Sequence, residues 1–568
     1  MTSAEREYAR WSTSDLLTPE ERAELTAITG ETERRDRFYR TLAFGTAGLR
    51  GVMGMGLNRM NVYIVRQATR AFAQVILEAG LGDKGAAVCY DCRENSEYFA
   101  REAAWVLRCC GIPVYLFSQC RPTPQLSFAV RRFGAAAGIN ITASHNPKEY
   151  NGYKVYWQGG AQLPPEQAEK VSERMAALDP LSPRMECENP APCTLLGEDF
   201  DREYIDAVLR CTVNPGIFDA MGADFSVVYS AFHGVGGFIF PRVMEKAGLR
   251  QLFPVPQQLR PDGAFPTVAS PNPEEPAGFA LAIALAKKKN APVIIGTDPD
   301  SDRVAMVVRD KNGDYVPLSG NRTGALLLHY LITQRRARGT LPENPCLIKT
   351  IVTSSLSQAV AEDNGVACFN TFTGFKYMAE KLAGLESEGK YHYLMAFEES
   401  IGYMIGDHAR DKDGVVAGML LCEMAAWYAS RGMTVLDGLE ALFRKYGYYA
   451  ECTRSVYFPG EDGGQRMARI MASLREAPPR ALAGLPVSAW RDYLPGLRHG
   501  REGDSPTEIA GSDVLYYELS TGERLVVRPS GTEPKIKLYA LMRRDSEAAA
   551  QAAAQSAAQG AEDLILSL

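Results

Sequence analysis

The chain has 568 residues, 46% hydrophobic and 23% charged, which excludes a largely disordered protein and supplies several packed cores at roughly 100–200 residues per domain. Lys and Arg total 62 against 68 Asp and Glu, a net charge of −6 with no long basic block, so neither composition nor patterning favours a nucleic-acid partner. The polar start MTSAEREYARWSTSD has no apolar core of a secretory signal, and no apolar run approaches the roughly 18 residues of a spanning helix, so a soluble cytoplasmic protein without a membrane partner is expected.

Short apolar runs alternate with longer amphipathic ones, the pattern of α/β layers. Residues 1–40 are polar and helix-patterned, with the expectation that they pack on the first domain. Helices are expected at 62–79 and 97–110, each closed by a glycine, and strands at 86–90 and 113–117. Small apolar residues at 135–141 lead into the loop 142–147. Residues 179–192 are Pro-rich and read as a surface connection before a helix at 198–211. A second α/β unit has strands at 225–229 and 293–296 and ends in a hairpin, 304–308 and 315–318, about Asn312-Gly313. A third opens with a helix at 323–333, for which Asn321 is the expected cap, and continues through strands at 346–352 and 391–397 and a helix at 414–430. The last holds strands at 524–527 and 535–541 and an Ala-rich helix from Asp545. The boundaries are placed at 1–212, 213–320, 321–445 and 446–568. The twelve cysteines are expected as thiols, with Cys89 and Cys92 as small side chains beside a strand end rather than a redox or zinc pair.

Four segments carry candidate chemistry. Asp298, Asp300 and Asp302 follow a strand at its C-terminal end, where α/β sheets place ligands, and Arg303 adjoins them. A hard cation shared with an anionic ligand fits this spacing; so does a solvated acidic loop, and an aspartyl nucleophile is a third reading that Asp302 disfavours. The second segment is Thr142-Ala-Ser-His-Asn-Pro147, where Ser144 needs a neighbouring cation or base for phosphoryl transfer; taken alone, Ser144 reads as a loop hydroxyl and His145 as a polar surface side chain. Asn151-Gly152 reads as a turn that swings Lys154 back beside it. The third is Arg528-Pro-Ser-Gly-Thr-Glu-Pro-Lys535, which fits a phosphate-binding nest or an ordinary β-turn. The fourth, Phe397-Glu398-Glu399-Ser400, offers carboxylates and a hydroxyl to sugar hydroxyls, or is a solvated loop.

In this order and at domain spacing, the four segments resemble the α-D-phosphohexomutase superfamily over residues 41–541. Phe44-Gly-Thr-Ala-Gly-Leu-Arg50-Gly51, Pro299 and Asp411-Lys412-Asp413-Gly414 are similar to its phosphoglucomutase/phosphopentomutase branch. The resemblance implies three related mixed α/β domains and a smaller α+β C-terminal domain around a central cleft. It implies a phosphoserine at Ser144, with Asp298, Asp300, Asp302 and an oxygen of Ser144 on Mg²⁺. Lys154 matches the general acid/base, with His145, Arg50 and Arg303 also catalytic. Thr373, Lys376, Glu398, Ser400 and Lys412 would read the sugar, and Arg528, Ser530, Gly531 and Thr532 the distal phosphate. The implied activity converts glucose 1-phosphate to glucose 6-phosphate through glucose 1,6-bisphosphate, on free sugar phosphates, as a monomer or dimer. Phosphomannomutase, phosphopentomutase, hexose-bisphosphate synthase and a non-catalytic sugar-phosphate-binding protein are the alternatives.

Overall fold

The computed structural model describes residues 2–45, 48–459, 462–482, 484–531 and 534–568. Thr46 and Ala47 of the Gly-rich motif, and Thr532 of the expected phosphate loop, lie outside them. The chain forms two compact units: residues 1–320 with 400–433, and residues 321–399 with 434–568.

The first unit opens with three helices, Ser3–Ser12, Pro19–Thr26 and Glu31–Phe38, the first two started by capping boxes from Thr2 and Thr18. Their apolar stripes bury Trp11, Leu25 and Phe38 in the same core as the helix Val62–Glu78, so the polar N-terminal segment does pack on the body that follows. That body holds a six-stranded sheet in the order Leu49–Val52, Tyr150–Trp157, Ala137–Ile141, Ala86–Tyr90, Val114–Phe117, Cys193–Leu196. The first two pairings are antiparallel and the rest parallel. The strands Ala86–Tyr90 and Ala137–Ile141 are buried throughout, which is why they read as unbroken apolar runs. A five-stranded sheet follows, ordered Tyr315–Pro317, Val304–Arg309, Val293–Thr297, Val227–Ser230, Leu252–Pro254, with the expected hairpin at one edge.

The segment 400–433 groups with this unit for clear reasons. The fully buried carboxylate of Glu423, on the helix Gly414–Ala429, accepts from the backbone N–H groups of Val213 and Asn214 at 3.0–3.2 Å. Gly418 of the same helix leaves no room for a side chain beside the Phe240 ring. These contacts carry the preceding residues, 406–413, to the end of the five-stranded sheet.

The second unit contains three parallel strands, Ala367–Thr371, Pro345–Thr350 and His392–Glu398. It also contains an antiparallel sheet including Tyr448–Tyr457, Lys535–Arg544, Arg524–Pro529 and Leu515–Leu519, covered by the helices Gly463–Glu476 and Glu547–Ser567. Alanines of the last helix, including Ala550, Ala554 and Ala558, are buried in the same core as Ile470 and Leu474, so the Ala-rich tail is a packed helix.

Three expectations are corrected. Asn321 does not cap its helix, which spans Gly320–Ala337; its Oδ1 instead accepts from Ser354 N at 2.8 Å. Asn151-Gly152 is no turn but part of the strand Tyr150–Trp157. A Cβ on Gly152 would lie 2.5 Å from Thr142 O and 2.9 Å from Leu49 O, so glycine lets two flanking strands approach. Finally, Cys109 and Cys187 form a disulfide. The Pro-rich connection folds back on the helix Ser96–Cys109, where Met185 O accepts from Trp105 Nε1 at 2.8 Å, and this brings the two cysteine Cα atoms to 5.5 Å. Cys89 and Cys92 remain free thiols, Cys89 fully buried.

Candidate functional site

The site in the first unit begins at two strand ends. The strand Val293–Thr297 delivers the loop 298–303, and a left-handed Ser301 (φ 55°) curls the backbone so that its three carboxylates converge. One oxygen from each of Asp298, Asp300 and Asp302 lies within 4.8 Å of the others, all fully buried. At that separation each pair repels by about 3.5 kcal/mol at an effective dielectric near 20. The loop is held by a second one, 231–235, and the start of the helix that follows it. Val235 N donates to Pro299 O at 2.8 Å, and Gly234 sits so close that a Cβ would fall 2.4 Å from Pro299 Cα.

Cations offset the repulsion. Lys154 Nζ lies 2.6 Å from Asp300 Oδ2 and 2.9 Å from Asp302 Oδ2, and Lys412 Nζ lies 2.9 Å from Asp302 Oδ2. Burial by itself would raise the Asp302 carboxyl, but Lys154 and Lys412 outweigh it and hold it well below the usual carboxylate range. Burial would likewise lower both ammoniums, and the facing aspartates raise them instead. Asp298 goes the other way, pushed up by burial and by Asp300 and Asp302. Asp300 Oδ1 and Asp302 Oδ1 are buried with no hydrogen-bond partner. Orphaned carboxylate oxygens in an all-oxygen donor set fit a hard divalent cation.

The strand Ala137–Ile141 delivers the second loop. Ser144 is left-handed (φ 53°), an uncommon backbone for a non-glycine residue and a form of strain found at functional sites. Its Oγ donates to Asp298 Oδ2 at 2.7 Å and lies 3.2 Å from His145 Nδ1. Burial, then Arg303 and Arg50, push the His145 imidazole well below its ordinary pKa, so it is neutral. Arg50 Nη1 donates to Asn146 Oδ1 at 3.0 Å, and Arg303 N to Asp298 Oδ1 at 3.0 Å. Ser144, His145, Lys154, Arg50, Arg303 and Lys412 line one cavity of about 90 Å³. The structure thus gathers Lys412, expected on the sugar, onto the metal-type carboxylates, and Lys154 reaches them without any turn.

Sequence reasoning passed over the residues that shape the serine loop. Arg93 donates through Nη1 to Pro147 O and Tyr150 O at 2.8 and 3.0 Å, and through Nη2 to Ser144 O and Asn146 O at 2.7 and 2.5 Å. Its Nε lies 3.2 Å from Asp91 Oδ2, which also accepts from Thr142 Oγ1 at 2.6 Å, and Thr142 Oγ1 in turn accepts from Ser144 N at 2.8 Å. Thr123 Oγ1 donates to Asp300 Oδ2 at 2.6 Å. The signal was there in Asp91-Cys92-Arg93, two charges at the end of a fully apolar strand, but the C-x-x-C spacing overlapped it.

In the second unit, Glu398 Oε1 accepts from Gly374 N at 2.5 Å, which sets the expected sugar-reading carboxylate against the turn carrying Thr373 and Lys376. Thr373 Oγ1 is buried and unpartnered. Lys376 lies 4.6 Å from the Tyr377 ring centroid, and burial lowers its pKa. Arg528 is the penultimate residue of the strand Arg524–Pro529, its Nη1 3.4 Å from Tyr539 OH, and Ser530 N donates to Lys535 O at 2.8 Å across the hairpin mouth where Gly531 sits. Ser400 belongs to the first unit.

Comparison with known proteins agrees with this geometry. Sequence models of the phosphoglucomutase/phosphomannomutase family match all along the chain: α/β/α domain I at residues 41–181, domain II at 202–313, domain III at 319–446 and the C-terminal domain at 498–559. A phosphoglucomutase of Staphylococcus aureus is 35% identical over 514 residues, 90% of this chain and 91% of that protein. Two solved structures share the fold. One is a phosphoglucomutase/phosphomannomutase family protein of Burkholderia thailandensis (TM-score 0.66, 21% identity, 93% of this chain and 96% of the other). The second is pp63/parafusin, a phosphoglucomutase of Paramecium in its open form (TM-score 0.68, 17% identity, 92% and 95%).

Proposed function

We propose that this chain, which belongs to the phosphoglucomutase/phosphomannomutase family and is a phosphotransferase isomerase of phosphoglucomutase type, interconverts α-D-glucose 1-phosphate and glucose 6-phosphate through a phosphorylated Ser144 and glucose 1,6-bisphosphate. One observation carries this reading: the strained Ser144 presents its Oγ at 2.7 Å to the buried three-aspartate cluster.

Asp298, Asp300 and Asp302, with Ser144 Oγ, would hold Mg²⁺. The ion would neutralise charge on the transferring phosphoryl group. A hexose hydroxyl attacks the phosphorus of phospho-Ser144; a new O–P bond forms as the Ser144 Oγ–P bond breaks, and the hydroxyl's proton ends on the released Ser144 Oγ. In the return step Ser144 Oγ attacks the other phosphate of the bisphosphate. Its proton then has an acceptor within reach, the neutral His145 Nδ1 at 3.2 Å. Lys154 is the general acid/base in this reading. Arg50 and Arg303 flank the phosphoryl group. Recognition of sugar hydroxyls falls to Glu398 and Ser400 with Thr373, Lys376 and Lys412, and that of the distal phosphate to Arg528, Ser530, Gly531 and Thr532. Four domains parsed at 1–212, 213–320, 321–445 and 446–568 belong to the same proposal. Free sugar phosphates as substrates imply a cytoplasmic enzyme; among the described residues no helix is long and apolar enough to cross a membrane.

The test is a coupled assay of glucose 6-phosphate formed from α-glucose 1-phosphate, with Mg²⁺ and a trace of glucose 1,6-bisphosphate. Fast turnover that stops on chelation and in Ser144→Ala is expected. Higher kcat/KM on mannose or pentose 1-phosphates would move the substrate assignment. Substantial turnover in Ser144→Ala would overturn the phosphoserine.

A further inference from the structure

A buried pair of side chains flanks Lys412 in sequence and does not line the cavity. His408 and Asp413, 5% and 1% exposed, pair through Nε2 and Oδ2 at 2.8 Å. Asp413 is a crowded carboxylate. Its Oδ1 caps the helix Gly414–Ala429 by accepting from Val415 N and Val416 N at 2.8 and 3.1 Å. Its Oδ2 also accepts from Tyr204 OH at 2.8 Å, and its backbone N–H donates to Tyr403 O at 2.8 Å. Between His408 and Asp413 the chain is laced at each step. Arg410 N donates to Ser127 Oγ at 2.8 Å. Asp411 Oδ2 accepts from Tyr156 OH at 2.7 Å and Gln162 Nε2 at 2.9 Å. Lys412 then reaches Asp302, and Gly414 N donates to Ser301 O at 3.0 Å in the metal-type loop.

We propose that His408 is a positioning residue: through Asp413 it locks the loop 406–413 and so holds Lys412 on Asp302. The proposal rests on reading the three aspartates as the phosphoryl-transfer site. The physical reason is charge. Asp411 and Asp413 are both fully buried in one short loop, and a buried carboxylate without a partner is costly. Lys412 is shared between Asp302 at 2.9 Å and Asp411 at 3.6 Å. With His408 charged, Asp413 has its own counter-ion, and Lys412 is free to serve Asp302. Without it, Asp413 draws on the cations of its own loop. Burial would lower the His408 imidazole, but the hydrogen bond its Nε2 donates to Asp413, with Cys211 beside it, outweighs that and raises it to about 9. The groups facing it are Asp413 on its own loop, Cys211 beyond the helix Glu198–Leu209, and Tyr204 on that helix; the Phe128 ring completes the pocket and carries no charge.

The test compares wild type, His408→Gln and the double variant His408→Gln with Asp413→Asn, which removes both charges and keeps a capping side chain. In His408→Gln, hydrogen exchange should quicken in peptides covering 406–416, and kcat should fall about tenfold with KM within twofold. The double variant should recover most of kcat. Wild-type kcat should fall as pH rises through about 9, and that limb should be missing in the double variant. A lower unfolding midpoint with kcat and the alkaline limb unchanged would overturn the proposal, as would unchanged exchange. Wild-type protein inert on every hexose phosphate would sink the mutase reading alone; the exchange result still decides whether His408 locks the loop.

Discussion

Replacing Arg93 tests whether one buried guanidinium sets the shape of the Ser144 loop. Its side chain is inaccessible to solvent and serves four backbone carbonyls and Asp91. Each carbonyl left without its donor costs about 1 kcal/mol, and an unpaired buried Asp91 about 3–5 kcal/mol. Together these exceed the 1–3 kcal/mol needed to hold Ser144 left-handed, so in Arg93→Met the loop relaxes. A net preference of about 3 kcal/mol for the relaxed form leaves the competent loop below roughly 1% populated and cuts kcat about 100-fold. Arg93→Lys sharpens the test. An ammonium keeps the charge but cannot bond two pairs of carbonyls at once, so a loss of at least about tenfold is expected. The assay is kcat in steady state, with single-turnover phosphorylation of Ser144 followed by intact mass. A Lys variant within twofold of wild type in both would refute the argument from the forked geometry.

Two further outcomes follow from burial. Lys349 is 1% exposed, and its Nζ has two carbonyl partners, Thr350 O and Thr353 O, both at 3.3 Å. Burial lowers it from 10.5 to about 8, which costs about 3 kcal/mol of stability at pH 7. The unfolded chain binds more protons between the two values, so that cost fades as pH rises from about 8 to 10.5. Lys349→Met should therefore stabilise the second unit by about 1–2 kcal/mol at pH 7, after the lost carbonyl bonds, and destabilise it by about 1 kcal/mol near pH 10.5, where only the loss of those bonds remains. Denaturant unfolding at both pH values checks this, and destabilisation at pH 7 would contradict it. Gly152→Ala should lower the first unit's unfolding free energy by on the order of 3 kcal/mol, because the new Cβ meets two backbone oxygens that cannot both withdraw. A midpoint within about 1 kcal/mol of wild type would show that the strands can spread.

What the sequence disclosed was chemistry contiguous along the chain. Asp298, Asp300 and Asp302 stand two residues apart after an unbroken apolar strand, and Ser144 sits among small residues after another, so each loop could be read where it lay. What it concealed depends on pairing in space. Asn151-Gly152 looks like a turn in isolation; only the register, with Arg50 on one side of Gly152 and Thr142 on the other, shows why glycine is needed there. Arg93 and His408 act on carbonyls and a carboxylate supplied by residues 51–57 and 5 positions away, and nothing local marks those partners. Cys109 and Cys187 lie 78 residues apart and meet because the Pro-rich connection folds back.

The charges around Ser144 predict how cation and phosphoryl group depend on each other. Three aspartates face the ammoniums of Lys154 and Lys412 and the guanidinium of Arg303, so the buried cluster is close to neutral as it stands. A divalent cation adds two positive charges, and a phosphoryl group on Ser144 adds roughly two negative ones at pH 7. Either alone leaves a charge of two in a site whose aspartates are wholly buried; both together restore the balance. Mg²⁺ should therefore bind phosphorylated protein at least about tenfold more tightly than unphosphorylated protein, by isothermal calorimetry on samples separated by intact mass. Linkage requires the reciprocal effect, that the cation favours the phosphorylated form by the same factor. Equal Mg²⁺ affinities would show that the lysines, rather than the incoming phosphoryl group, absorb the added charge by leaving Asp300 and Asp302.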